Sequence, residues 1–151
     1  MRMAMKPHEF PARLATGLYI LHAGLGKLRP DDETAKNIHG TASSAYPAVE
    51  DVDPVVFTRA LGAAECALGA TLIAPTVSSR LAGLGLGAFS AGLLGLYLRL
   101  PGMHVHGSIR PTTDGMALAK DAWMLGIALS MVTERRGRKG DRDRRHLRLA
   151  A

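Results

Sequence analysis

Apolar residues along the chain gather into four blocks, each ended by charged or proline-containing sequence. The first spans residues 14–28 and stops at Arg29-Pro30-Asp31-Asp32. The second, residues 55–74, holds two charges, Arg59 and Glu65, and the third, residues 81–98, holds none. The fourth, residues 116–132, is closed by Glu134 and two arginines. A bilayer core of about 30 Å needs roughly 20 apolar helical residues. The middle two blocks meet that length directly. The outer two reach it when an end residue snorkels, Arg13 for the first and Lys120 for the fourth. A soluble bundle is the alternative, but its helices carry a polar stripe, and the third block has none. Its five glycines would cost about 1 kcal/mol each in a soluble helix, whereas glycine is common in membrane spans. The pattern predicts an all-α protein, an antiparallel four-helix transmembrane bundle with spans near residues 11–28, 55–74, 81–99 and 116–133.

Charge orients the bundle. From Glu134 onward eight basic residues face three acidic ones, so a tail of residues 134–151 carries +5 of the formal +6. Arg2, Lys6 and Arg13 precede the first span and Arg80 sits in the second connection, while residues 29–54 hold six acids against Arg29 and Lys36. Basic residues near span ends stay cytoplasmic. Both termini are therefore expected inside a plasma membrane and the acidic loop outside, with Arg99 and Arg110 in the third connection a small departure. A signal peptide is the other reading of the first block, but no convincing cleavage site follows it. The tail reads as a topology anchor drawn to anionic lipid rather than a nucleic-acid arm. At 151 residues the chain suits one domain. Its single cysteine, Cys66, excludes a disulfide framework, a dithiol centre and a cysteine-rich zinc site, and reads as a buried small hydrophobe.

Polar residues inside apolar blocks are the candidates for function. Gly62, Glu65 and Gly69 share one face of the second span, which aims Glu65 at a closely packed neighbour. Arg59, Asp121, Lys27, Lys120, Arg99, His104 and His106 fall near the outer level, with Lys27 and Lys120 read as snorkelling. His104-x-His106 gives only two ligands, so no metal is expected. Gly83, Gly87, Ala91 and Gly95 recur every four residues in the third span as a small-residue stripe, suited to packing within the bundle or to a homo-oligomer seam.

Arg13-Leu14 with Gly17, Ala23-Gly24 and Lys27-Leu28 in the first block resembles the opening of the DoxX-like membrane proteins. Leu61-Gly62-Ala63-Ala64-Glu65 with Gly69 is similar to that family's second span, and residues 120–126 to its fourth. The resemblance covers roughly residues 13–133. It implies a small membrane partner of a redox enzyme, tied to quinone-linked sulfur or oxidative-stress chemistry, more an accessory subunit than a stand-alone enzyme. It also implies a bacterial cell membrane and a possible quinone. The chain departs from relatives with paired cysteines, since Cys66 is alone. A small transporter or lipid-binding protein is the competing reading. The acidic loop is long enough for a short amphipathic helix near residues 32–38.

His22 and Glu65 make the sharpest expectation. Their helical depths from opposite boundaries, about 13 Å and 16 Å at 1.5 Å per residue, put both near the midplane. They are expected to face the bundle interior, bonding each other or flanking a polar head such as a quinone ring. Arg59 and Asp121 would form a second pair at the outer entrance.

Overall fold

In the computed structural model, described over residues 7–105 and 107–133, a 3₁₀ turn at Pro7–Glu9 leads into helix α1, Phe10–Lys27. Helix α2 (Asp32–Ala45) and a turn at Pro47–Val49 fill the acidic loop, followed by α3 (Pro54–Ile73) and α4 (Ser79–Arg99). A short α5 (Met116–Lys120) and α6 (Ala122–Thr133) complete the described elements. The secondary structure of the described residues is all-helical apart from one isolated bridge between His104 and Pro111. The arginine-rich tail, Arg2, Lys6 and His106 lie outside the described residues.

The helix starts are written locally. Asp31 caps α2 by accepting from the Thr34 amide at 2.8 Å and the Thr34 hydroxyl at 2.9 Å. Asp53 accepts from the Val55 and Val56 amides ahead of Pro54, which opens α3. Both satisfy amides that a helix start leaves without partners. The helix in the acidic loop runs to Ala45, well beyond the segment expected from sequence. The fourth apolar block is interrupted. Asp121 forms a three-residue turn, its amide donating to Leu118 and its carbonyl accepting from Met124, so α5 and α6 are separate pieces.

Packing divides the bundle into two clasped pairs. Antiparallel α1 and α3 meet where Gly17 faces Gly69 and Gly24 faces Gly62. A Cβ added at Gly24 would lie 2.7 Å from the Gly62 carbonyl oxygen, and one at Gly62 would lie 2.8 Å from that of Gly24. Only hydrogen at Cα lets these backbones approach so closely. On the other side α6 packs along α4, with Gly83 against Ala128 and Met131, and Gly87 against Ala128. The four-residue stripe expected in α4 is not one continuous face. Each step of four turns the helix by about 40° beyond a full turn. Gly83 and Gly87 therefore meet α6, Ala91 is exposed, and Gly95 lies under the Tyr46 ring. The glycines proposed for a seam with a second copy are thus covered within the chain itself.

Ile20, Leu72, Leu86 and Met124, each at most 1% exposed, form the core where the pairs meet. At one end Arg13 locks them. Its guanidinium, 1% exposed, donates to the carbonyls of Thr71, Leu72, Ala74 and Val77 and to the Ser79 hydroxyl. Those carbonyls close α3 and the connection to α4, the end where a helix favours a cation. At the other end α2 lies across α3 and α4. Thr58 donates to the Ala35 carbonyl, Tyr46 donates to Gly92 at 2.8 Å, and Arg99 donates to Ala45 while standing 4.9 Å over the Tyr46 ring.

Helices α3 and α4 are each long and apolar enough to cross a membrane. Their outward faces are apolar too: Val56, Leu81, Leu84 and Leu98 are all more than half exposed, as are Leu18 and Leu25 on α1 and Leu129 on α6.

Candidate functional site

Glu65 lies in the middle of α3, three residues from Gly62 and four from Gly69, and so turns with the glycine face towards α1. It is 4% exposed. The group it meets there is Lys27. The ammonium Nζ stands 2.7 Å from Glu65 Oε2 and also donates to the Ala23 carbonyl at 3.1 Å. Side chains on a helix lean towards its N-terminus. A lysine at the last position of α1 therefore reaches back over its own final turn to a carboxylate deeper in the bundle.

His22 does not take part. It is exposed, and Gly26, expected to mark the same close-packed face, is open: a Cβ added there would meet nothing within 4 Å. The reason is angular. At 100° per residue His22 stands about 160° from Gly24, on the far side of α1, while Lys27 stands about 60° away. Depth alone pointed to His22, and the glycine seam selects Lys27. Arg59 is also exposed and lies off the site, so the expected Arg59–Asp121 pair is absent. Asp121 does reach it.

The Lys27–Glu65 pair opens on a cavity of about 380 Å³ at the α2 end of the bundle. Tyr19, Ile20 and Ala23 of α1, Leu61 of α3, and Phe89, Leu93 and Leu96 of α4 make its apolar walls, and Met124 its floor. Asn37, Ile38, Thr41 and Ala42 of α2 cover it. Asp121, placed by the break between α5 and α6, adds a third charged group from the opposite wall, and among the described residues its carboxyl has no hydrogen bond or ion pair. Beside it Trp123 meets Tyr19 edge-on at 6.4 Å, bridging the two clasped pairs. No protein-family model matches the chain, and no curated protein or solved structure matches it.

The arrangement is a pocket with apolar walls and a few converging polar groups, the usual form of a small-molecule site. Lys27 offers a donor, Glu65 and Asp121 offer acceptors, and Asn37 and Thr41 offer either. Among the described residues no three histidine, cysteine or carboxylate groups are placed to hold a metal ion. Cys66, half-buried, contacts α1 through Gly24 and the Leu21 carbonyl. Asn37 and Thr41 carry no motif in the sequence. Only their four-residue spacing on an amphipathic α2 marks them as one face.

Proposed function

We propose that this chain is an integral membrane protein of the DoxX-like kind whose α2-end cavity takes the polar head of an amphipathic ring, the class to which quinones belong. In this reading α1, α3, α4 and the broken α5–α6 cross the bilayer, both termini and the basic tail are cytoplasmic, and α2 lies on the outer surface. The apolar outward faces and the acidic loop between α1 and α3 support that orientation. The observation that carries the site is the Lys27–Glu65 ion pair opening into an apolar-walled cavity of about 380 Å³. A charge pair held in such surroundings is costly and marks a functional position by default.

The residues fit a ring with two oxygens. Lys27 donates to a carbonyl oxygen, Glu65 and Asp121 accept from a hydroxyl, and Phe89, Leu93 and Leu96 pack the ring body. A quinone, when bound, supplies two-electron redox chemistry. The chain supplies orientation and a water-poor wall. Electrons would then come from a partner, which makes this protein an accessory subunit of a membrane redox system.

Trp123 is the only tryptophan and stands edge-on to Tyr19, a wall of the cavity, so titration of the purified chain with a short-chain naphthoquinone tests the site. Saturable quenching is expected, weakened at least tenfold in Glu65→Gln. Linear, non-saturating quenching would overturn the ligand class. Purification from native membranes tests the role. A co-purifying oxidoreductase supports the accessory subunit, whereas an isolated oligomer carrying lipid supports a lipid-binding protein or small transporter instead.

A further inference from the structure

One seam of α1, with the turn before it, carries Glu9, Arg13, Thr16, Ile20, Ala23 and Lys27 at alternating steps of four and three residues. That spacing keeps all six on one face. Four of the six are polar. Glu9, Arg13, Thr16 and Ile20 are each less than a tenth exposed, so the stripe faces the interior. Polar residues on the inward face of a membrane helix line substrate and ion pathways.

A second cavity, about 270 Å³, opens at the Arg13 end, between Glu9, Ala12 and Arg13 on one side and Ile127, Ser130 and Met131 of α6 on the other. The seam between α1 and α6 thus holds a cavity at each end, each with a carboxylate in its wall. Between them sits Thr16. It is 0% exposed, and its hydroxyl has no hydrogen-bond partner among the described residues. A buried hydroxyl left unpaired is costly, and internal water is what ordinarily satisfies such a group.

We propose that this stripe is a proton path through the bundle, running from Glu9 through Thr16 to the Lys27–Glu65 pair. It rests on the membrane-spanning part of the reading above, and it would connect the outer cavity to protons on the cytoplasmic side. Glu9 takes up a proton from the inner cavity and passes it on. A hydroxyl can accept a hydrogen bond on one side while donating on the other, so Thr16 relays the proton without net change. From Thr16 to Leu21, which the Gly17–Gly69 and Gly24–Gly62 register sets level with Glu65, is five residues of α1, about 7 Å. Two waters at hydrogen-bond spacing of about 2.8 Å bridge that gap. Ile20 and Met124 line the outer cavity over this stretch, with Leu72 and Leu86 packed beside them. Glu65 receives the proton and releases it to the outer cavity. Each transfer moves one proton and leaves every residue as it began. Arg13 is not a relay, because a guanidinium stays protonated and this one is held by the carbonyls that end α3.

The test uses the full chain in sealed vesicles of neutral phospholipid. A pH-sensitive dye is trapped inside, and a potassium gradient with valinomycin drives the flux. Wild type is expected to acidify or alkalinise the lumen well above protein-free vesicles. Thr16→Val, which keeps the shape and removes the hydroxyl, should cut the rate at least tenfold, and Thr16→Ser should restore it. Thr133→Val, at the exposed end of α6, should leave it unchanged. Wild-type flux equal to that of protein-free vesicles, in protein that floats with the vesicles, overturns the proposal. So does a Thr16→Val rate equal to wild type. Naphthoquinone quenching of Trp123, measured on the same preparations, separates the two readings: flux without binding sinks the ligand class and leaves the path standing.

Discussion

Lys27 Nζ and Glu65 Oε2 stand 2.7 Å apart across the two most closely packed helices of the bundle, with 22% and 6% of their side chains exposed. The more deeply buried partner is the acid. Removing the lysine therefore strands a carboxylate, whereas removing the acid leaves a lysine that can still turn outward.

Unequal mutational costs follow. Lys27→Met should destabilise the protein by about 3–5 kcal/mol, the usual result of leaving one member of a buried pair behind. Glu65→Gln should cost less than half of that. The double variant Lys27→Met/Glu65→Gln should recover most of the loss. Thermal unfolding in detergent, read as a double-mutant cycle, measures the coupling. Equal losses for both single variants would contradict the asymmetry.

Glycines on opposite sides of α1 should respond oppositely to a methyl group. Gly24→Ala drives a Cβ against the Gly62 carbonyl and the Cys66 amide, at 2.7 and 2.8 Å, and should cost about 1–3 kcal/mol or separate α1 from α3. Gly26→Ala meets nothing within 4 Å and should stabilise by about 0.5–1 kcal/mol, the ordinary gain on replacing a helical glycine. Melting temperatures of the two variants decide it.

At Arg13 charge alone should not suffice. Arg13→Lys keeps the cation but cannot reach four carbonyls and a hydroxyl together, since it lacks the planar fork. It should lose at least half the stability lost in Arg13→Met, as read by resistance to detergent unfolding. A lysine variant as stable as wild type would show that charge at the end of α3 is what counts.

The start of α2 should loosen in acid. The amide and hydroxyl of Thr34 hold the Asp31 carboxyl below its ordinary value of 3.8. A carboxyl whose folded pKa is depressed stabilises above its unfolded pKa and loses that contribution as pH falls through the folded one. The cap is thus intact at neutral pH and lost below about pH 4. Exchange of the Thr34 amide, corrected for intrinsic rate, should accelerate across that window in wild type and show no such step in Asp31→Asn.

Much of the architecture was legible because the information is local. Apolar block lengths, with the charged and proline-containing sequence that ends each block, read directly as helices and their boundaries. Gly62 and Gly69 flanking Glu65 correctly aimed the acid at a neighbour. Its partner was not legible by the same route. Depth along the helices matched Glu65 to His22. The choice between His22 and Lys27 depends on which face of α1 meets α3, and Gly17 and Gly24 define that face only once their pairing with Gly69 and Gly62 is known. The break at Asp121 was equally hidden, because a single acid in an apolar block reads the same in a continuous helix. Asn37 and Thr41 reach the cavity through the way α2 is strapped down by Tyr46 and Arg99, a contact between residues about fifty positions apart.

The Arg13 lock sets an order on synthesis. Its acceptors lie 58 to 66 residues further along the chain, and the glycines that face α1 belong to α3, not to the helix made next. While the ribosome is still making the acidic loop, α1 carries an arginine with nothing to hold it and a glycine groove with nothing to fill it. It becomes a settled helix only after the last turn of α3 and Ser79 have emerged. A nascent chain halted before that point would present an N-terminal helix that quality-control proteases can extract, and one halted just after it would not.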